Sequence, residues 1–441
     1  MRRTSPRAAR AHSGAEKRLE GPPSRRSMTR LAGVALCVAV TLTAAACSSS
    51  KGSSPGTGTA ANESGYPLVY IGDESNTGGQ ATPALNAFKA AVAAANAHGG
   101  GIHGHPISLI VCDAQSNENA AAACGQQAVS DHAIAVVDDS GEEDTMFPYL
   151  QAADIPTFDN GGLPLTWTSP VSFIINADFL AVTAGAVALL AKAGCTSFVT
   201  VGSEYNSVTN GAIDKQSAAA AKQFGIQDKG SVYAPLTAPD MSAYVTEALN
   251  KAPDCIATQA FGSSEISLLT ALAPVSSIKE IALNTAYVAS SASQAQAVNA
   301  LMTRLGSRAL LVAGDEGTNA ASWDPAVRQF VADHNTYDPS GEISGVAELE
   351  WSDLQLVIRA ADAVYPNVTA DGLLKYLNQL RDYWPGLTPA VSFNKPVANP
   401  YGPRIEAVWV ADSSWSPTGD SPRIGPWVNA LTGATTNNNE P

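Results

Sequence analysis

With 441 residues and 45% apolar content, the chain is long enough for more than one domain and apolar enough to bury cores, which excludes a disordered polymer. It carries 26 basic and 40 acidic residues. Nine of the basic and two of the acidic residues precede Cys47, so the remainder holds 17 against 38, a balance of −21 that works against nucleic-acid binding, where Lys and Arg must neutralise phosphates.

The N-terminus reads as an address. A basic stretch leads into the apolar run Leu31 to Ala46, whose 16 residues fall short of the roughly 20 needed to span a membrane. Leu42-Thr-Ala-Ala-Ala-Cys47 resembles a lipoprotein signal with Cys47 as the acylated new N-terminus, although Ala44 stands where Leu is usual. An ordinary cleaved signal with an incidental Cys47 is the alternative. Residues 1–46 are therefore expected to leave as a signal peptide. Residues 47–65, rich in Ser, Gly and Thr, would tether the protein to the outer face of the cytoplasmic membrane. Ser24-Arg-Arg-Ser-Met28 resembles a twin-arginine signal, so the Tat and Sec export routes both stand, and Met28 offers a second start.

From Tyr66 onward strand and helix patterns alternate. Leu68 to Gly72 predicts a strand. A helix opening at Thr82-Pro83 follows, with Leu85, Phe88, Val92 and Ala95 at helical spacing and Gly99 to Gly101 as its stop. Ile107 to Cys112 predicts a strand, Asn119 to Val129 a helix, Ile134 to Val137 a strand, Met146 to Ala153 a helix and Ile155 to Phe158 a strand. The rhythm restarts after Asn176. Helices are predicted at Phe179 to Ala193, Ile213 to Phe224, Ser242 to Lys251 and Ile266 to Ala273. Strands are predicted at Ser197 to Val201, near Ser231 to Tyr233, at Cys255 to Gln259 and at Glu280 to Asn284. Two series of strand–helix units imply two doubly wound α/β lobes with parallel sheets covered on both faces.

Cys37 leaves with the signal and Cys47 takes lipid, so Cys112, Cys124, Cys195 and Cys255 remain, an even number for an oxidising compartment. Of three connectivities, Cys112–Cys124 and Cys195–Cys255 are preferred. Cys112 ends a strand just before the helix that holds Cys124. Cys195 and Cys255 begin the first and third strands of the second series, which lie side by side in a doubly wound order. No CxxC pair suggests zinc, and no cofactor is expected.

Asn96-Ala-His-Gly-Gly, Ile102-His-Gly-His-Pro-Ile107, Ala133 to Val137, Asp154-Ile-Pro156, Pro239 to Tyr244, Pro253 to Ala257 and Val391 to Asn394 occur in an order and spacing that resemble the branched-chain amino-acid-binding, type I periplasmic binding family. The likeness runs from Tyr66 to Ser413. It implies two Rossmann-like lobes joined by a three-strand hinge, and ligand capture in the cleft between them. Lobe one would comprise residues 66–177 and 314–385, lobe two 178–313 and 386–428, with 429–441 a disordered tail. Val391 to Asn394 would be the late crossover strand.

The resemblance also proposes ligand contacts. Ser140 and Gly141, leaving a strand toward a helix, would hold the ligand's backbone-like end, with plain helix capping by Ser140 as the alternative. Asn160 and Gly161 would add backbone contacts. On lobe two, Tyr205 would replace the family's Tyr, whose place Val208 takes, Phe261 would be an aromatic wall, and Asn284 falls where amino-acid binders carry an acidic group. That missing carboxylate puts a standard α-amino acid in doubt. Asp73, Glu74, Asp138, Asp139, Glu142, Glu143 and Asp144 crowd lobe one, either as a solvated face or as a lining suited to a cationic or polyhydroxylated ligand. Trp351 is either hinge wall or core. His98, His103 and His105 read as a surface turn rather than a metal site.

The function implied is solute capture for an ABC importer, with a small-molecule ligand, permease and ATPase subunits as partners, a lipid anchor in the membrane and no nucleic acid. An orphan ligand sensor that signals through a partner is the runner-up. A hydrolase is weaker still, since no Gly-x-Ser-x-Gly elbow, paired metal His motif or phosphate loop occurs.

Overall fold

The computed structural model describes residues 65–75, 81–159, 162–236, 238–260, 262–285, 292–322, 324–343, 345–386, 388–402, 408–417 and 421–437. The expected signal peptide and Cys47 lie outside them. The first sheet is built from β1 (Tyr66–Gly72), β2 (Ile107–Asp113), β3 (Ala135–Asp139), β4 (Thr157–Asp159) and β5 (Ser172–Phe173). Its order is β2-β1-β3-β4-β5, with every pair parallel. Leu68 through Ile71 are fully buried, as expected of a strand covered on both faces. Helices α1 (Ala81–Gly99), α2 (Glu118–Ser130) and α3 (Glu143–Ala152) alternate with these strands. The Asn117 side chain starts α2 by accepting from the Asn119 and Ala120 N–H groups.

The second series forms an eight-stranded sheet from β6 (Ser197–Glu204), β7 (Gln227–Pro235), β8 (Cys255–Gln259), β9 (Glu280–Asn284), β10 (Ala309–Ala313), β11 (Trp409–Ser413), β12 (Trp427–Asn429) and β13 (Thr435–Thr436). The order is β13-β12-β11-β10-β9-β8-β6-β7. Strands β6 to β10 are parallel, and β11 to β13 extend the edge antiparallel. The helices of this series are α4 (Phe179–Lys192), α5 (Ser207–Phe224), α6 (Ser242–Asn250), α7 (Gly262–Leu272) and α8 (Ala292–Leu305). Leu180 to Leu190 of α4 are all buried, which is why that helix is apolar on every side.

The chain then returns to the first sheet. Helices α9 (Pro325–Tyr337) and α10 (Gly345–Val364) pack on α1, and α11 (Ala370–Leu377) packs on α10. Asp324 caps α9, with Pro325 at the first helical position. Trp351 is core: it is buried against Phe330 and donates to Asp333 Oδ2 at 2.9 Å.

Three segments pass between the sheets. Thr388 Oγ1 donates to the Ile175 carbonyl at 3.0 Å and fixes the loop before Val391 to the first crossing, whereas the third crossing lies beyond Phe393, whose ring still meets Phe173 of β5 at 5.1 Å. A Cβ on Gly314 would lie 3.0 Å from the Ala177 carbonyl oxygen, so glycine lets the second crossing pack on the first without displacing it. Because β5 and β10 both run into this junction at their carboxyl ends, both sheets turn those edges toward the hinge.

Two expectations need correction. Val391 to Asn394 is not a regular crossover strand: Val391 makes an isolated antiparallel bridge with Tyr383, and the Phe393 ring packs on Phe173 of β5. Residues 429–437 are no disordered tail, since Ala430 is fully buried and β13 pairs with β12. Both disulfides are present as preferred, with Cα separations of 5.6 Å for Cys112–Cys124 and 6.1 Å for Cys195–Cys255.

Candidate functional site

The carboxyl edge of the first sheet is made by the turns after β1, β3 and β4. Ser140 follows β3 and is buried. Its N–H donates to Asp138 Oδ1 at 3.1 Å, and its Oγ accepts from the Glu142 N–H at 3.5 Å. The residue at the cap of α3 is Glu142, so Ser140 stands two residues ahead of the capping position. Gly141 faces open space, with nothing within 4 Å of where a Cβ would be. Asn160 and Gly161 lie outside the described residues. Just past them Gly162 has φ +86°, and a Cβ there would meet the Asp178 carboxylate at 2.7 Å. The loop after β4 therefore packs on the start of α4, where the Trp167 indole N–H also donates to Asp178.

This edge is acidic, with Asp73, Asp138 and Asp159 buried and Glu74, Asp139, Glu142 and Asp144 half-buried. Asp138 is fully buried and Asp159 nearly so, and the two are register partners on adjacent parallel strands, so their side chains share one face. Burial first, and then the Asp159 charge, push the Asp138 carboxyl well above its usual range. Asp139 is pushed up to about 7 by burial and by Asp159, Asp73 and Glu74. Burial and the neighbouring Asp73 charge likewise raise Glu142 to about 7. Asp73 is itself fixed by Ser116, which donates from its N–H at 2.7 Å and from Oγ at 2.9 Å. Asp144, farther along α3, accepts from the Leu165 N–H at 3.0 Å.

The opposing edge comes from the second sheet. Tyr205 follows β6, and its hydroxyl donates to the Gln259 carbonyl at the end of β8, at 3.2 Å. Its ring meets Phe179 edge-on at 6.1 Å. Gln259 is buried, and its Nε2 donates to Thr183 Oγ1 at 2.9 Å. Asn284 is the last residue of β9 and is buried. Val208 is 54% exposed on the first turn of α5. Phe261 lies outside the described residues. Ser140, Gly141, Tyr205 and Asn284 thus all sit at carboxyl ends of strands, where open α/β sheets take their ligands.

The histidines lie elsewhere, on the surface turn expected of them. His98 pairs with Asp333 at 3.1 Å, and His103 stacks on Tyr365 at 4.0 Å. Among the described residues no group of three or more His, Cys, Asp or Glu side chains could hold a metal ion. No helix among them is long and apolar enough to cross a membrane. Two surface depressions, one along α3 at Phe147 and Leu165 and one at Asp240 and Ser267 beside α6 and α7, lie away from the strand ends.

One structural residue escaped the sequence. Asp254, just before β8, accepts from the Thr196 and Ser197 N–H groups at 2.9 and 2.7 Å and so ties the start of β6 to that of β8. The only sequence signal was an Asp placed immediately ahead of an apolar strand.

Comparison with known proteins agrees with this architecture. No curated protein matches the chain. Among solved structures, it is similar to a fatty acid ABC transporter substrate-binding protein from Thermomonospora curvata, at 14% identity and TM-score 0.69, over 83% of this chain and 92% of that one. It is also similar to a periplasmic binding protein from Burkholderia mallei, at 17% identity and TM-score 0.66, over 84% and 96%. A third is the branched-chain amino acid transporter substrate-binding protein of Streptococcus pneumoniae in complex with isoleucine, at 16% identity and TM-score 0.59, over 81% and 97%. At such identities the likeness establishes the fold. The periplasmic binding protein family model matches residues 70–412, and the chain belongs to that family, in its type I, branched-chain amino-acid-binding form.

Proposed function

We propose that this protein is the extracytoplasmic solute-binding subunit of an ABC importer, which captures a small polar ligand between its two sheets and closes about the hinge. The observation that carries the reading is the close packing of the first two crossings at Ala177 and Gly314, toward which both sheets turn their carboxyl edges. Such a junction lets two rigid halves approach without repacking either core. A ligand that binds the closed form better shifts the population toward it, and the closed form then docks on the permease.

Fatty acid and isoleucine are named for two of the similar structures. A polar ligand suits this chain better, because its strand ends carry buried Asp138, Ser140, Gln259 and Asn284. Cys47 would be lipidated and residues 47–65 would tether the protein beside its permease and ATPase.

The test is a thermal-shift screen across amino acids, amides, sugars, polyamines and organic acids, followed by small-angle scattering. A ligand at about 100 times its dissociation constant stabilises by about 2.7 kcal/mol. Binding must also shrink the radius of gyration, and Ser140→Ala and Phe261→Ala should each weaken it without unfolding the protein. Binding with no contraction, or with unchanged affinity in both variants, would reject the reading.

A further inference from the structure

Three buried oxygen atoms without hydrogen-bond partners lie on the edges and crossing described above, and they share one chemistry. Asp138 is fully buried; Oδ1 takes the Ser140 N–H, and Oδ2 has no hydrogen-bond partner. Its register with Asp159 puts the two carboxyl groups on one face of the sheet at the strand ends. In the first crossing, Asn176 is buried with Oδ1 unpaired. At the end of β8, Gln259 is buried with Oε1 unpaired. The amide orientation of Gln259 is fixed by its neighbour. Thr183 gives its hydroxyl proton to the Phe179 carbonyl at 2.8 Å, so its oxygen accepts from Gln259 Nε2 and leaves Oε1 facing away. Amide oxygens accept and never donate, and an ionised carboxylate does the same, so a ligand that meets Asn176, Gln259 and ionised Asp138 must bring N–H or O–H groups.

Charge narrows the class. Asp73, Asp138, Asp139 and Glu142 form no ion pair with Lys or Arg among the described residues; the Lys and Arg pairs there, Lys279–Asp254, Lys375–Asp371 and Arg423–Glu316, lie elsewhere. Without a countercharge such buried carboxyls keep a proton, and a cation that meets them takes that proton's place. No metal-holding group is present among the described residues, which removes the simplest inorganic candidate. A zwitterionic α-amino acid would bring a carboxylate of its own. The donor nearest to hand, the Ser140 N–H, is already taken by Asp138 Oδ1.

Resting on the solute-capture reading, the geometry points to an organic cation as the ligand: a primary ammonium or guanidinium compound whose N–H groups meet Asp138 beside Asp159, with Gln259 and Asn176 as further acceptors. Tyr205, in edge contact with Phe179 at the opposite edge, supplies an aromatic face for the cation or its aliphatic chain. Neither covalent chemistry nor a second reactant is involved; the ligand exchanges its hydration for fixed acceptors and charge.

The experiment uses the purified protein with agmatine, putrescine and spermidine as cationic probes, isoleucine as zwitterion, octanoate as anion and glucose as neutral polyol. Calorimetry and thermal shift read affinity, and scattering reads closure. At least one cation is expected to bind more tightly than all three other classes and to shrink the radius of gyration. Asp138→Asn should weaken that binding about 30-fold or more while the free variant melts no lower than the parent. If Asp138→Asn fails to fold, Asp159→Asn replaces it, with the same loss expected. Tighter binding of isoleucine, octanoate or glucose than of every cation overturns the cation assignment and leaves solute capture intact. Cation binding without contraction keeps the assignment and overturns closure. No shift with any cation overturns the assignment.

Discussion

Thr388 and Ile175, 213 residues apart in sequence, meet through a buried hydrogen bond of 3.0 Å from the Thr hydroxyl to the Ile carbonyl. It ties the loop before Val391 to the crossing that leaves β5. Replacing Thr388 with Val keeps the volume and leaves a buried carbonyl without that donor, which should cost about 1–3 kcal/mol. Urea unfolding measures it. The more informative readout is closure. If the bond holds the first crossing in place as the halves move, Thr388→Val should bind ligand more weakly than its lost stability alone accounts for. An unchanged unfolding midpoint would show that the first crossing does not depend on this contact.

The two disulfides should contribute unequally. Cys195–Cys255 closes a separation of 60 residues and Cys112–Cys124 one of 12. Chain-entropy reasoning gives about 4 kcal/mol for the longer loop and about 3 kcal/mol for the shorter. Cys255 is also fully buried at the start of β8, next to the central strand of its sheet, whereas Cys112 ends the edge strand β2 and is half-buried. Paired Ala replacements, compared by urea unfolding, should rank the Cys195–Cys255 variant as the less stable. The reverse order would mean that native-state packing outweighs loop closure here.

Much of this layout was legible because apolar runs and helix stops are local signals. Cys255 to Gln259 and Glu280 to Asn284 were predicted with the bounds that the structure gives, since each is a short apolar run between polar turns. The antiparallel β11 to β13 were not read, because Trp427 to Asn429 and Thr435-Thr436 are too short to show a period and are strands only by virtue of the sheet they join. Burial of charge was invisible for a different reason. Asp138 and Asp139 look like any acidic turn, and only the closeness of β1, β4 and the helices around them covers them. Of the proposed ligand contacts, sequence placed Ser140, Gly141, Tyr205 and Asn284 at strand ends correctly, whereas the pairing of Tyr205 with the Gln259 carbonyl depends on which strands are neighbours.

The acidic edge should make the ligand-free protein less stable as pH rises. Asp139 and Glu142 are both raised to about 7 in the folded protein, mainly by burial. Asp178 and Glu265 are raised to about 8, also first by burial. In each case the folded state holds the proton more tightly than the unfolded chain, so stability falls between the ordinary carboxylate pKa near 4 and the raised value. The groups facing Asp139 are Asp159 on β4, Asp73 and Glu74 after β1 and Tyr70 on β1; Glu350 on α10 acts in turn on Tyr70. Melting temperature should therefore drop between about pH 5 and about pH 8, and less steeply in Asp139→Asn. A profile for the variant as steep as the parent's would show that Asp139 ionises freely when folded.

Asp254 should act in the opposite sense and at the other end of the pH range. Its partial burial disfavours the charged form, but the Thr196 and Ser197 N–H groups, the Ser197 and Thr196 hydroxyls and Lys279 at 3.0 Å outweigh it and hold the carboxyl below its usual range. The stability it supplies is complete above the unfolded pKa near 4 and is lost as pH falls through the depressed folded value. Asp254→Ala removes the acceptor for two N–H groups at the start of β6 and should cost about 1–3 kcal/mol near neutral pH. Asp254→Asn, which can still accept from one of them, should cost less. Toward acid pH the gap between the parent and Asp254→Ala should narrow, because protonation of Asp254 in the parent removes the same charge-assisted bonds. If urea unfolding finds the gap constant down to about pH 2, the Thr196 and Ser197 amides are not held by the ionised carboxylate, and the join between β6 and β8 rests on the Cys195–Cys255 bridge and the strand ladder alone.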